Sequence, residues 1–234
     1  MSIPRHERLI VALDVPSAAE ARSLAESLGD AARFYKVGLE LFSADGYFEL
    51  IRWLSARGNR VFADLKLFDI PETVGRATAN VAKSGAAFLT VHAHRSVVRA
   101  AAAEKGAMKL LAVTVLTSFD ESDVAEMGAT KSVAELVLDR ARIAAEAGAD
   151  GVVCSPLEAA RIKAGLGNRL LRVTPGIRPA DAKGGDDQKR TADVAQAFAN
   201  GADYIVVGRP IRDAADPRAA AAGIQKTISG VFGK

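Results

Sequence analysis

A (β/α)8 barrel of the TIM type, an α/β fold, is predicted for this chain on three observations. Eight short apolar runs recur along it, helical patterns separate them, and polar residues collect where the runs end. The runs are Leu9–Val15, Phe34–Leu39, Val61–Leu67, Phe88–Ala93, Lys109–Leu116, Gly151–Ser155, Leu170–Pro175 and Tyr204–Gly208. Their starts recur at a spacing of about 28 residues. Strand alternating with helix implies parallel strands, because a return to the same end of a sheet needs a crossover. An open doubly wound sheet is the rival, but the first run ends Leu13-Asp14-Val15-Pro16, with no Gly-rich dinucleotide turn. The length of 234 residues suits a barrel. No linker interrupts the repeat, so residues 1–234 read as a single barrel domain.

The first run carries Asp14 near its end. A helix over Ser17–Leu28 follows, with Ser17 placed to cap it and Glu20 three residues on, the spacing of a capping box. The second run carries Lys36. The third reads Ala63-Asp64-Leu65-Lys66-Leu67 and continues into Phe68-Asp69-Ile70-Pro71. His92 stands near the end of the fourth, and Thr117 and Ser118 follow the fifth. A helix over Val133–Ala147 is stopped by Gly148. Cys154, in the sixth run, reads as a small buried hydrophobe. The seventh run leads into Gly176-Ile177-Arg178-Pro179, and the eighth ends Gly208-Arg209-Pro210. The run Ala219–Ala222 reads as helix.

Composition narrows the function. The chain is 49% hydrophobic and 25% charged, ordinary globular usage that excludes a largely disordered protein. A lone cysteine excludes an internal disulfide framework and a cysteine-based zinc cluster. Lys and Arg total 31 against 28 Asp and Glu, and the small excess is spread along the chain. That fits a site for a small anion better than a nucleic-acid surface. The apolar stretch Leu9–Leu13 is too short for a signal segment or a membrane span, so a cytoplasmic protein without a membrane partner is expected. His6 and His94 offer no metal spacing, and neither H-E-x-x-H nor a Walker loop occurs.

Side chains two apart on a strand share a face, so Asp64 and Lys66 are predicted to enter the barrel mouth while Leu65 and Leu67 face the helices. A structural ion pair is the plainest reading of Asp-x-Lys. Against it, buried charges are costly unless paired or used, and Asp14 and Lys36 bring two more to the same rim. Such clusters mark functional sites. The loops after strands seven and eight hold phosphate in many barrels, and here they offer Gly176, Arg178, Gly208 and Arg209. The stretch 184–190 opens with two glycines that would permit a mobile lid. His92 reads equally as a rim base or as a satisfied structural histidine.

The stretch Asp64-Leu65-Lys66-Leu67-Phe68-Asp69-Ile70-Pro71-Glu72-Thr73 resembles the signature of the orotidine 5′-phosphate decarboxylase family, Asp-x-Lys-x-x-Asp-Ile-Pro-x-Thr. Ala12-Leu13-Asp14, Tyr35-Lys36-Val37-Gly38, Leu116-Thr117-Ser118, Pro175-Gly176-Ile177-Arg178-Pro179, Asp187-Gln188-Lys189-Arg190 and Val207-Gly208-Arg209-Pro210-Ile211 follow the family's order. Glu72 departs from it, since many members carry Asn there. The resemblance implies decarboxylation of orotidine 5′-monophosphate to uridine 5′-monophosphate without metal or cofactor. It implies that Lys66 donates the proton to C6, that Asp64 lies beside the departing carboxylate, and that Lys36 and Asp14 hold the ribose and orient the charges. Asp69 and Thr73 would reach into the neighbouring site of a homodimer, Ile70 would bind substrate, and Asp69 with Asp64 would keep Lys66 protonated. Ser118 and Gln188 would contact the base, Gly208 and Arg209 the phosphate, and Thr117, Pro175 and Arg178 would line the site. A related phosphate-sugar decarboxylase such as one acting on 3-keto-gulonate 6-phosphate, a pentose-phosphate epimerase, a Schiff-base aldolase and a non-catalytic phosphate-binding barrel remain alternatives.

Overall fold

The structure, a computed structural model, describes residues 3–178 and 190–233. Eight parallel strands close into a barrel in sequence order. They are β1 (Leu9–Ala12), β2 (Phe34–Val37), β3 (Arg60–Leu67), β4 (Phe88–His92), β5 (Lys109–Val113), β6 (Gly151–Val153), β7 (Leu171–Thr174) and β8 (Tyr204–Val207). The ring closes where β8 pairs with β1, Leu9 opposite Ile205 and Val11 opposite Val207. All but β3 end before the predicted apolar run does, because the last residues of those runs leave the ladder to build the rim.

The helices are α1 (Ala18–Leu28), α2 (Leu39–Phe42), α3 (Tyr47–Ala56), α4 (Pro71–Ala82), α5 (Arg95–Glu104), α6 (Glu121–Glu126), α7 (Val133–Ala147), α8 (Ala159–Leu166), α9 (Val194–Ala199), α10 (Arg209–Arg212) and α11 (Pro217–Phe232). The predicted capping box of α1 is half made. Ser17 Oγ accepts from the Glu20 N–H, but the Glu20 carboxylate takes its bond from the Ser17 hydroxyl. A full capping box opens α7 at Ser132 and Glu135, and Gly148 ends that helix at φ 98°. Ala219–Ala222 lies in α11. Among the described residues no helix is long and apolar enough to cross a membrane.

Strand alternation sorts the core into layers. Ile10, Ala12, Phe34, Phe62, Phe88, Leu111, Val173, Tyr204 and Val206 fill the barrel. Their neighbours, such as Leu9, Val11, Val37, Leu89, Leu110 and Val152, pack outward beneath the helices. At the floor, Phe34, Phe88 and Tyr204 meet edge to face, and the Arg60 guanidinium lies 4.6 Å from the Phe34 ring centre. The lower barrel is therefore filled, and the barrel opens at the other end.

Candidate active site

At the C-terminal end of the strands a cavity of about 490 Å³ opens. Four charged side chains run across its base with alternating sign. Asp14, two residues beyond β1, accepts from Lys36 Nζ at 2.7 Å. Lys36, on β2, lies 3.7 Å from Asp64 on β3. Asp64 accepts from Lys66 Nζ at 2.8 Å and from the Thr90 hydroxyl at 2.8 Å. Gly38 stands close over this array: a Cβ there would lie 3.0 Å from Lys36 Nζ.

Asp64 and Lys66 do meet at the mouth, but plain alternation is not how the chain gets there. The β3–β4 register shifts between Ala63 and Leu67, and Lys66 has φ 47°, the left-handed region that a non-glycine residue enters at a cost. Thr90 Oγ1 accepts from the Lys66 backbone N–H at 3.0 Å, so one buried threonine fixes both the backbone of Lys66 and the carboxylate of Asp64. Thr90 was not predicted. Its signal was its position on β4 between Phe88 and His92, which gives it the same inward parity.

The charge states follow from the spacing. Burial pushes the Asp64 carboxyl toward neutrality, yet Lys36 and Lys66 outweigh it and hold the group below the usual aspartate range. Burial likewise opposes the charge on Lys36, and Asp64 and Asp14 outweigh it and raise its pKa. Both therefore stay ionised at neutral pH.

The remaining walls come from loops after the strands. Thr117 and Ser118 follow β5, Pro175, Gly176 and Arg178 follow β7, and Gly208, Arg209 and Arg212 follow β8. Arg212 was also not predicted. It donates to the Asp14 backbone carbonyl at 2.6 Å and so ties α10 to the rim above β1. Its signal was the helical spacing from Arg209. Among the described residues lining the cavity, five cations face two carboxylates. That excess suits a ligand with more than one negative charge.

Of the predicted residues, Asp14, Lys36, Asp64, Lys66, Thr117, Ser118, Pro175, Arg178, Gly208 and Arg209 line this cavity. Asp69, Ile70 and Thr73 do not. Asp69 is exposed and accepts from the Ile70 N–H at 2.6 Å, so within this chain the partner of the Lys66 ammonium is Asp64, not Asp69. Gln188 and the glycines of the expected lid lie outside the described residues. Of the two readings of His92, the rim base is not supported. The ring is half-buried, meets Phe68 edge-on, and lines a separate apolar cavity of about 160 Å³. Burial first, then Arg140 and Lys66, lower its pKa and favour the neutral ring. Cys154 is fully buried and burial pushes its thiol up, as a packing residue requires. Among the described residues no three His, Cys, Asp or Glu side chains gather as a metal site would need.

Comparison with known proteins bears on what enters the cavity. Residues 7–224 match the family model described as orotidine 5′-phosphate decarboxylase / HUMPS family. The orotidine 5′-phosphate decarboxylase of Methylococcus capsulatus is 54% identical over 230 residues, covering 98% of this chain and 95% of the relative. That of Rhodopseudomonas palustris is 50% identical over 230 residues, covering 97% of each. The crystal structure of orotidine 5′-phosphate decarboxylase from Lactobacillus acidophilus superposes with a TM-score of 0.83 at 38% identity, covering 95% of this chain and 99% of that one.

Proposed function

The chain belongs to the orotidine 5′-phosphate decarboxylase / HUMPS family, and we propose how its cavity carries out the decarboxylation for which its close relatives are named. The reaction is conversion of orotidine 5′-monophosphate to uridine 5′-monophosphate and CO2, a carboxy-lyase step of pyrimidine biosynthesis. Breaking the bond from C6 to the carboxylate releases CO2 and leaves an electron pair on C6. Lys66 Nζ–H donates a proton to that carbon, and the amine left behind regains a proton from solvent.

One observation carries this reading: the alternating array Asp14, Lys36, Asp64, Lys66 at the base of a cavity rich in cations. Asp64 is held by two hydrogen-bond donors and by the Lys36 ammonium 3.7 Å away, so the cation at Lys66 is in place before the reaction starts. Lys36 and Asp14 reach the ribose hydroxyls. Thr117 and Ser118 face the base from the β5 side. Arg209 binds the phosphate, with Gly208, Pro175 and Arg178 around it. Phosphate binding far from C6 contributes to the reaction remotely.

The exposed loop after β3 supports a homodimer. Phe68 and Ile70 are 66% and 65% exposed, and Asp69 and Thr73 lie outside the cavity of their own chain. An apolar pair flanking a carboxylate suits a contact between copies in which Asp69, Ile70 and Thr73 complete the neighbouring site.

The test is to add orotidine 5′-monophosphate to the purified protein, with and without a chelator, and follow the loss of orotate absorbance. Fast conversion, unchanged by the chelator, is expected. Folded protein that fails to convert it would overturn the reading.

A further inference from the structure

We propose that Arg190 is a positioning residue for the base-side wall of the active site. Leu116 to Phe119 form a tight turn closed by the Phe119 N–H donating to the Leu116 carbonyl at 2.9 Å. Thr117 and Ser118 are its two central residues, and both line the cavity. The same Leu116 carbonyl accepts from an Arg190 N–H at 2.9 Å, which fills the second lone pair of that oxygen. The other arm of Arg190 donates to Glu158 at 2.6 Å.

The pair is built into the fold. The Arg190 and Glu158 side chains are 11% and 8% exposed, and Glu158 stands immediately before α8, the helix after β6. Arg190 therefore joins three rim segments, those after β5, β6 and β7, at the carbonyl that sets the angle of the Thr117–Ser118 turn. A second guanidinium acts upstream: Arg140, on α7, donates to the Thr114 carbonyl at 2.6 Å. A buried ion pair contributes little net stability compared with an apolar pair of the same size, so stability is a weak reason for this one. Holding a carbonyl beside the site is a stronger one.

The proposal rests on the cavity being the nucleotide site. It is tested with Arg190→Lys, which keeps the charge opposite Glu158 but lacks the two-armed guanidinium, and with the apolar double variant Arg190→Met/Glu158→Leu. Two ligands separate a positioning role from general damage: uridine 5′-monophosphate, which has a base, and ribose 5-phosphate, which has none. In Arg190→Lys, kcat/KM for orotidine 5′-monophosphate is expected to fall by about tenfold to a hundredfold, the scale of a small misplacement at a reacting centre. Affinity for uridine 5′-monophosphate falls with it, while affinity for ribose 5-phosphate and the thermal midpoint stay near wild type. The double variant shows the same split. Wild-type kinetics in folded Arg190→Lys, or equal loss of both ligands, would overturn the proposal. A wild-type protein that does not turn over the substrate would instead overturn the site reading.

Discussion

Each charge in the array Asp14, Lys36, Asp64 and Lys66 is held by a neighbour of opposite sign, and this sets how the site responds to pH. Asp64 titrates below its ordinary value of 3.8 in the folded chain. Its contribution to stability is therefore complete above that value and is lost as pH falls from 3.8 through the folded pKa. Lys36 is the mirror case: its contribution is complete below 10.5 and is lost as pH rises through its higher folded pKa. Thermal midpoints across these two windows check this, and Asp64→Asn is expected to flatten the acid limb. Arg209→Ala is expected to weaken uridine 5′-monophosphate by about tenfold to a hundredfold, the value of a hydrogen bond to a charged group, and to leave uridine nearly unchanged. Calorimetry with the two ligands decides; equal loss would move the phosphate elsewhere. Asp14, Lys36, Asp64 and Lys66 were legible in the sequence because a charge inside an apolar run stands out. Thr90 and Arg212 were not, since threonine is an ordinary strand residue and an arginine on a short helix looks like surface.

The strands were legible because eight apolar runs of similar length recur at even spacing. Helices α1 and α7 were legible from their caps. The four-residue helices α2 and α10 were not, because a single turn carries no periodicity. The irregularity at Lys66 was hidden for another reason: nothing in Asp-Leu-Lys-Leu signals a left-handed lysine, and only the pairing with β4 forces it. Close packing between strands can be tested at Gly151 on β6. A Cβ there would lie 2.7 Å from the Leu171 carbonyl and 2.8 Å from a Leu111 methyl carbon, contacts the sheet cannot absorb without moving. Gly151→Ala is expected to destabilise the fold by about 1–3 kcal/mol, read from urea unfolding. A neutral result would mean that the β5–β6–β7 ladder is looser than its register implies.

Taken whole, the molecule separates stability from chemistry: a solid aromatic floor, a closed ring of strands, and an alternating charge array at one rim. Asp69 stands out in the sequence as a candidate but its place does not, because a single chain's sequence does not say which copy's cavity a loop faces. If the loop serves the partner, mixing Lys66→Ala with Asp69→Ala should restore up to about a quarter of wild-type activity, since a mixed two-fold dimer rebuilds one native site. No recovery with subunit exchange demonstrated would place Asp69 outside the partner's site. The chemistry turns on Lys66 supplying the proton to C6 from a prearranged array. It is tested most directly by measuring turnover of orotidine 5′-monophosphate by Lys66→Ala alongside its affinity for uridine 5′-monophosphate. Nearly complete loss of turnover with product binding still detectable is expected, and turnover close to wild type would place the proton donor elsewhere.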